Sequence, residues 1–272
     1  MRLSTQKLEV REDLITAKKY RINGDYVESR AEKHRVIIFN KLKDREPNED
    51  RQSILLAGGA GAGKSTIVEQ YFLPETMEDS VSDFILIDSD KIKEELDEYK
   101  EYKESEDTVY FAAFYVHEES GHIVKLLLQE CINRGLSFIY DGTMSWKPLY
   151  DDLITKLNQN AYSITGVYVD VELEVAQARA IKRGEEEKRY VDPAFVELAN
   201  RNSAITFRKL KQHFDEVLMF NNTEDRIDKN QIVEPFYIRG TPFTQEFEDG
   251  EIKNPFQLSL FKNKSELPYI GE

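Results

Sequence analysis

A glycine-rich run between an apolar strand and a helix constrains this chain more than any other feature. Gly58-Gly59-Ala60-Gly61-Ala62-Gly63-Lys64-Ser65 satisfies G-x-x-x-x-G-K-[ST] at every fixed position. Phosphate oxygens are held by several backbone N–H groups turned inward together, and only small residues let the main chain come that close. The helix that follows aims its positive end at the same point. Lys64 supplies a point charge for the terminal phosphates and Ser65 a hydroxyl for Mg²⁺. Gly58, Gly59, Ala60, Gly61, Ala62, Gly63, Lys64, Ser65 and Thr66 are therefore the candidate nucleotide-binding residues. The rival dinucleotide fingerprint fails, because after Gly59-Ala60-Gly61 its third glycine falls on Lys64. A merely flexible loop fails on context, since Ser53–Ala57 reads as a strand and Lys64–Tyr71 as a helix bounded by Pro74.

The rest of the chain alternates in the same way. Apolar runs at Phe84–Ile87, Ser137–Tyr140, Ile164–Val169 and Val217–Phe220 read as buried strands. Helical periodicity marks 91–99, 109–134 ending at Gly135, 149–158, 172–183, and a helix opened by Asp192 as cap and Pro193 at its first position. Continuous apolar strands joined by long helical connections specify an α/β fold. A mainly parallel five-stranded sheet is expected, covered by helices on both faces, with ligands at the carboxyl ends of the strands. Three stretches are expected: a helical N-terminal extension over 1–50, ending in the polar linker 43–50; a P-loop core over 51–222; and a C-terminal hairpin and tail over 223–272. In the hairpin, Ile232–Ile238 pairs back across the loop 225–230.

Two further strands end in acid, at Asp88-Ser89-Asp90 and at Asp141-Gly142-Thr143. A hydroxyl acceptor needs a carboxylate to take its proton, and Mg²⁺ needs oxygen ligands. Asp90 is assigned as the base, and Asp88 or Asp141, with Ser65, to the metal. The bland alternative makes Asp90 the cap of the helix 91–99. Arg179, Arg183, Arg189 and Arg201 are candidates to clamp a transferring phosphoryl group, and Gly184–Lys188 to form a lid, although spacing alone favours a solvated face paired with Glu185, Glu186 and Glu187. His117 and His122 lie five apart, not four, and are rejected as a zinc pair, leaving His117 as a candidate lining of the substrate site. Trp146 is a candidate for stacking on a base or for the core. Cys131, the single cysteine, sits in an apolar stretch and reads as a buried, inert thiol.

In order, Leu55–Ser65, Ile87-Asp88-Ser89-Asp90, His117-Glu118, Asp141-Gly142-Thr143, Arg183 and Arg189-Tyr190-Val191 resemble the zeta toxin family of P-loop kinases, over about residues 52–222. The stretch Asp141–Pro148 looks closest to zeta-toxin-like domains of plant proteins. The resemblance implies that Asp90 is the catalytic base, that Lys64, Arg183 and Arg189 stabilise the transferred phosphoryl group, and that Asp141 and Thr143 touch the acceptor. Bacterial members phosphorylate the sugar of UDP-N-acetylglucosamine and so block cell-wall synthesis; some relatives phosphorylate NAD. This chain departs from the bacterial pattern in carrying Asp141 where Glu is usual and Ser145 where some members carry Arg. Antitoxins of the family are helical and obstruct the nucleotide site. The resemblance therefore implies a possible helical antitoxin-like partner, or a segment 1–50 acting in cis, in which case deleting residues 1–48 raises activity.

The expected activity is transfer of the γ-phosphoryl of ATP or GTP, with Mg²⁺, to a hydroxyl of a nucleotide-linked metabolite. UDP-N-acetylglucosamine is favoured and NAD follows; the rival from another class is a nucleotide-dependent switch with no acceptor chemistry. Acidic residues outnumber basic ones 51 to 37, a net charge of −14 that disfavours nucleic acid as partner or substrate. The N-terminal residues carry no apolar leader and no run is long enough for a membrane span, so a cytoplasmic location is expected.

Overall fold

The computed structural model describes residues 10–73, 84–224 and 231–239. Its first elements are α1 (Thr16–Tyr20), β1 (Arg21–Ile22), β2 (Asp25–Tyr26) and α2 (Glu28–Leu42). The core follows as β3 (Gln52–Ala57), α3 (Lys64–Tyr71), β4 (Ile85–Asp88), α4 (Ser89–Glu94), α5 (Asp97–Glu104), α6 (Ala112–Tyr115), α7 (His117–Arg134) and β5 (Phe138–Asp141). It continues through α8 (Lys147–Gln159), β6 (Ser163–Asp170), α9 (Leu173–Glu187), α10 (Pro193–Leu210), β7 (Glu216–Asn221) and β8 (Pro235–Arg239). The large sheet runs β4-β5-β3-β6-β7-β8. Its first five strands are parallel neighbours, and β8 turns back antiparallel on β7, as the hairpin reading anticipates.

The alternation along β3 shows why the sheet needs helices on both sides. Ile54 and Leu56 point into a core with Ile67, Val68, Val167 and Val169, whereas Leu55 and Ala57 point into another with Ile87, Leu127, Phe138 and Tyr168. All four β3 side chains are fully buried, so neither face of the strand meets water. The order also fixes the functional edge. From β3 the chain moves to β4 and returns to β5, then crosses to β6 on the other side, so the loop after β3 opens at the point where the winding reverses.

The structure corrects several local expectations. The N-terminal stretch is not continuously helical: Asn23 and Gly24, at φ 54° and 94°, make the tight turn of the β1–β2 hairpin. That dipeptide is the usual signal for such a turn. The helix expected over 109–134 is a 3-10 turn at Val109–Phe111, then α6, then α7, separated from α6 by Val116 at ψ 0°. Gly135 ends α7 at φ 66° as expected. Asp88, not Asp90, caps α4: its Oδ1 accepts the Asp90 N–H at 2.8 Å, and the helix gives way to α5 beyond Glu95. Trp146 is 64% exposed and outside the core. Cys131 is fully buried, and burial pushes its thiol up to about 12, consistent with an inert role. Pro74, the loop 225–230 and the tail 240–272 lie outside the described residues.

The N-terminal stretch is built into the fold through buried charge. Arg30 of α2 is 3% exposed and donates to Glu119 at 2.5 and 3.0 Å and to Glu98 at 2.9 and 2.7 Å. His34 lies 2.6 Å from Glu119, and the Tyr20 hydroxyl donates to Glu98 at 2.5 Å. Burial by itself would raise the Glu119 carboxyl; the bonds from His34 and Arg30 overcome that and hold it at about 2. Leu42 joins the core beside Leu55 and Ala57. Deleting 1–48 would remove α2 with Arg30 and His34 and take Leu42 out of the core, so a loss of stability is expected alongside any change in activity. Arg30→Met should cost about 3–5 kcal/mol in urea unfolding, the range for breaking one side of a buried ion pair. Because the folded Glu119 pKa is depressed from 4.5, its contribution is present above that value and is lost as pH falls toward about 2. The deficit of Arg30→Met should therefore be full at neutral pH and shrink across that acid window.

Candidate functional site

The loop between Ala57 and Lys64 is shaped by backbone that only glycine takes easily. Gly61 and Gly63 sit at φ 79° and 85°, and Gly63 is the residue from which α3 starts. A Cβ on Gly63 would lie 2.1 Å from the Asn222 side chain. Lys64 lies over the loop, its Nζ 3.5 Å from the Gly59 carbonyl and 3.7 Å from Asp141 Oδ1. Ser65 and Thr66 occupy the first turn of α3, where the Thr66 N–H donates to the Gly63 carbonyl at 3.1 Å and the positive end of the helix faces the loop. Gly58, Gly59, Ala60, Gly61, Ala62, Gly63, Lys64, Ser65 and Thr66 thus make up the connection from β3 into the first turn of α3.

The acidic strand ends come together beside it. Asp88 pairs in register with Asp141 across β4 and β5, placing both carboxylates on the edge where the loop opens. Burial raises the Asp141 carboxyl above its ordinary range, with the Lys64 charge opposing and the Asp88 charge reinforcing the shift. The chain leaves Asp141 through Gly142 and Thr143; the Thr143 carbonyl accepts the Gly58 N–H at 3.3 Å, and its hydroxyl is bonded to Ser145 at 2.8 Å. Met144, at φ 52° and fully buried, holds this turn with its N–H on the Tyr150 hydroxyl.

Asp90 lies in the first turn of α4 between two cations. Lys93, one turn on, reaches its Oδ1 at 2.8 Å, and Arg189 is ion-paired with its Oδ2. Burial pushes the Lys93 ammonium down to about 8, with the Asp88 charge opposing. His117, at the start of α7, is held below its usual value by burial and then by the Lys93 charge. Arg189 arrives because α9 ends at Lys188 in a left-handed conformation (φ 56°, ψ 37°) that turns the chain back. Tyr190 then packs on Tyr110 at 4.3 Å between ring centroids.

The four arginine candidates separate. Arg189 reaches Asp90. Arg183 is half exposed and gives its Nε to Glu187 at 2.8 Å, while its charge also acts on Asp141, opposing the burial that raises that carboxyl. Arg179 donates to the Asn222 and Glu224 carbonyls, and Arg201 is exposed. Sequence reasoning missed Lys93, Asn200, Ser203 and Asn222. Lys93 was findable from its i,i+3 spacing to Asp90. The other three touch the loop from 140 or more residues away: Asn200 and Ser203 bond Gly59 and Gly58, and Asn222 Nδ2 donates to the Ala62 carbonyl at 2.8 Å. Among the described residues, no group of three or more His, Cys, Asp or Glu side chains gathers as a self-sufficient metal site.

With this geometry in place, comparison with known proteins is informative. The model of the family described as zeta toxin matches residues 38–233. A calmodulin calcium-dependent NAD kinase of Arabidopsis thaliana is 33% identical over 103 residues, 37% of this chain and 19% of that protein; the match therefore spans about a fifth of the relative's length. Among solved structures, one from the PezAT chromosomal toxin–antitoxin system of Streptococcus pneumoniae aligns at TM-score 0.58 and 17% identity, covering 89% of this chain and 96% of that one. The AvrRxo1-ORF1:-ORF2 structure with ATP aligns at TM-score 0.61 and 15% identity, covering 92% and 76%. At these identities the two structures speak for the fold.

One further carboxyl at this edge is testable on its own. Asp170 ends β6, is 5% exposed, accepts the Tyr168 hydroxyl at 3.1 Å, and carries the carbonyl that accepts the Asn222 N–H at 2.9 Å. Burial pushes its carboxyl up to about 7 from 3.8. Between those values the folded protein binds a proton that the unfolded chain has released, so this group's contribution declines as pH rises from 3.8 to about 7. Asp170→Asn should flatten that part of the thermal stability profile and gain on the wild type most at pH 8, as differential scanning fluorimetry across pH would show.

Proposed function

The chain belongs to the zeta toxin family of P-loop kinases, and on that premise we propose that it transfers the γ-phosphoryl group of ATP or GTP to a hydroxyl of a nucleotide-linked metabolite, UDP-N-acetylglucosamine first. The observation that carries the reading is Asp90, held by Lys93 on one oxygen and Arg189 on the other, next to the strand-end pair Asp88 and Asp141 and the phosphate loop.

In the proposed reaction the loop N–H groups and Lys64 hold the donor's phosphates, and Arg189 moves from Asp90 onto the transferring group as its charge develops. Asp90, freed on that oxygen, accepts the proton of the attacking hydroxyl. Lys93 stays on the other oxygen and fixes the carboxylate's direction. Thr143 and His117 line the acceptor side, with Asp141 between acceptor and Lys64. Arg183, whose Nε rests on Glu187 and whose charge acts on Asp141, adds its positive charge to that of Lys64 and Arg189 in this scheme. The oxygen donors at the β4–β5 edge and the first turn of α3 suit a hard cation, so Ser65 and Asp88 would hold Mg²⁺. When bound, that ion supplies charge neutralisation for the phosphates.

NAD is the second acceptor to test, on the strength of the partial match to the plant NAD kinase. A helical antitoxin-like partner is proposed only by analogy with the PezAT system, which is a toxin–antitoxin system by name. The net charge of −14 supports a site for small molecules over nucleic acid. No described helix is long and apolar enough to cross a membrane, and a cytoplasmic location is proposed.

The deciding experiment incubates the protein with ATP, Mg²⁺ and either UDP-N-acetylglucosamine or NAD, and seeks a phosphorylated product by mass spectrometry. Asp90→Asn should lower turnover by roughly 10²–10⁴-fold while ATP still binds. Equal turnover in the variant would remove Asp90 as base; ATP binding with no product from either acceptor would favour the nucleotide-dependent switch.

A further inference from the structure

We propose that Asn200 of α10 is a positioning residue that holds the phosphate loop in its nucleotide-ready shape; the inference deepens the nucleotide reading and rests on it. Its carboxamide bonds two successive loop residues in opposite senses. Oδ1 accepts the Gly59 N–H at 3.1 Å, and Nδ2 donates to the Ala60 carbonyl at 3.2 Å and to the Val196 carbonyl of its own helix at 2.9 Å. The side chain is thereby anchored at both ends, and the residue is 7% exposed. One turn further along α10, Ser203 Oγ accepts the Gly58 N–H at 2.7 Å. The entrance of the loop is therefore tied to a helix that is not adjacent to it in the chain.

The Gly59–Asn200 contact is close enough to dictate residue type. A Cβ at Gly59 would fall 2.3 Å from the Asn200 carboxamide and 2.6 Å from its backbone N. Position 59 is a free position of the P-loop motif, so phosphate binding does not require glycine there; contact with α10 does. The consequence for chemistry runs through the same residue. Asn200 takes the Gly59 N–H, and the Gly59 carbonyl faces the Lys64 ammonium at 3.5 Å. The same Gly59 carbonyl accepts the Ala62 N–H at 3.3 Å, so fixing this stretch fixes both where the ammonium rests and how the loop closes on itself. Asn222 holds the far end of the loop through Ala62, so the loop is gripped at both ends by side-chain amides. An amide suits this role because it offers a donor and an acceptor and carries no charge that would repel a phosphate.

The test titrates ATP, in Mg²⁺ buffer with no acceptor, into the full-length wild type, Asn200→Ala and the milder Asn200→Ser by isothermal calorimetry. Each protein is also melted without nucleotide. The expected result is an ATP Kd weakened roughly tenfold in Asn200→Ala, the loss of two neutral hydrogen bonds, with stoichiometry near one and a cooperative melt. Asn200→Ser should fall between this and the wild type. A residue important only for folding would lower the stoichiometry and the melting temperature while leaving Kd unchanged, and that result would overturn the proposal. So would loss of a cooperative melt in both variants, which would make Asn200 a folding residue. Wild type that fails to bind ATP would instead remove the nucleotide reading itself.

Discussion

The site depends first on β3 being paired in parallel with a strand on each edge. A strand held on both edges and buried on both faces has no freedom at its carboxyl end. The loop that leaves it therefore starts from a fixed point, which matters because phosphate binding by main-chain N–H groups tolerates little displacement. The same parallel register carries Asp88 and Asp141 to the same height on neighbouring strands. Chemistry at this edge is a consequence of sheet geometry before it is a matter of individual side chains.

Two charge clusters show how burial separates scaffold from site. Arg30, Glu98, Glu119 and His34 are almost wholly buried, and each carboxylate there has cationic or hydroxyl partners. Such a group gives little net stability over an apolar core, but breaking it is costly, so it fixes the N-terminal helices in one place. Asp90, Lys93 and Arg189 are graded instead: Lys93 is buried, whereas Arg189 and Asp90 keep 19% and 31% of their side chains exposed. A cluster graded in this way leaves the arginine's solvent side open, which suits the proposed exchange of Asp90 for a phosphate.

The parallel core and the phosphate loop were legible in the sequence because both are written in contiguous residues. The apolar strand runs, the G-x-x-x-x-G-K-[ST] spacing, the cap at Asp192 and the stop at Gly135 are local signals with local causes. The break at Val116 was not legible, because apolar residues continue through it and tertiary packing decides where the helix is interrupted. The exchange of Asp90 for Asp88 as cap was ambiguous for a similar reason, since either aspartate fits the pattern and only the path of β4 chooses. Asn23-Gly24 was legible and overlooked beneath helical periodicity on either side. The acceptor-binding, base and metal roles rest on residues whose placement the fold explains and whose function experiment decides.

Asn200 and Ser203 belong to the least legible class, and the reason is general. Their side chains meet Gly58 and Gly59 across more than 140 residues, so no window along the chain contains both partners. Yet α10 begins only a few residues after Arg189, the arginine that meets Asp90. One helix therefore bears on the phosphate loop through its middle, and the short segment that leads into it carries the arginine that meets Asp90. Here phosphate geometry is set by a triangle of β3, α3 and α10, and the motif read from the sequence covers two of its sides.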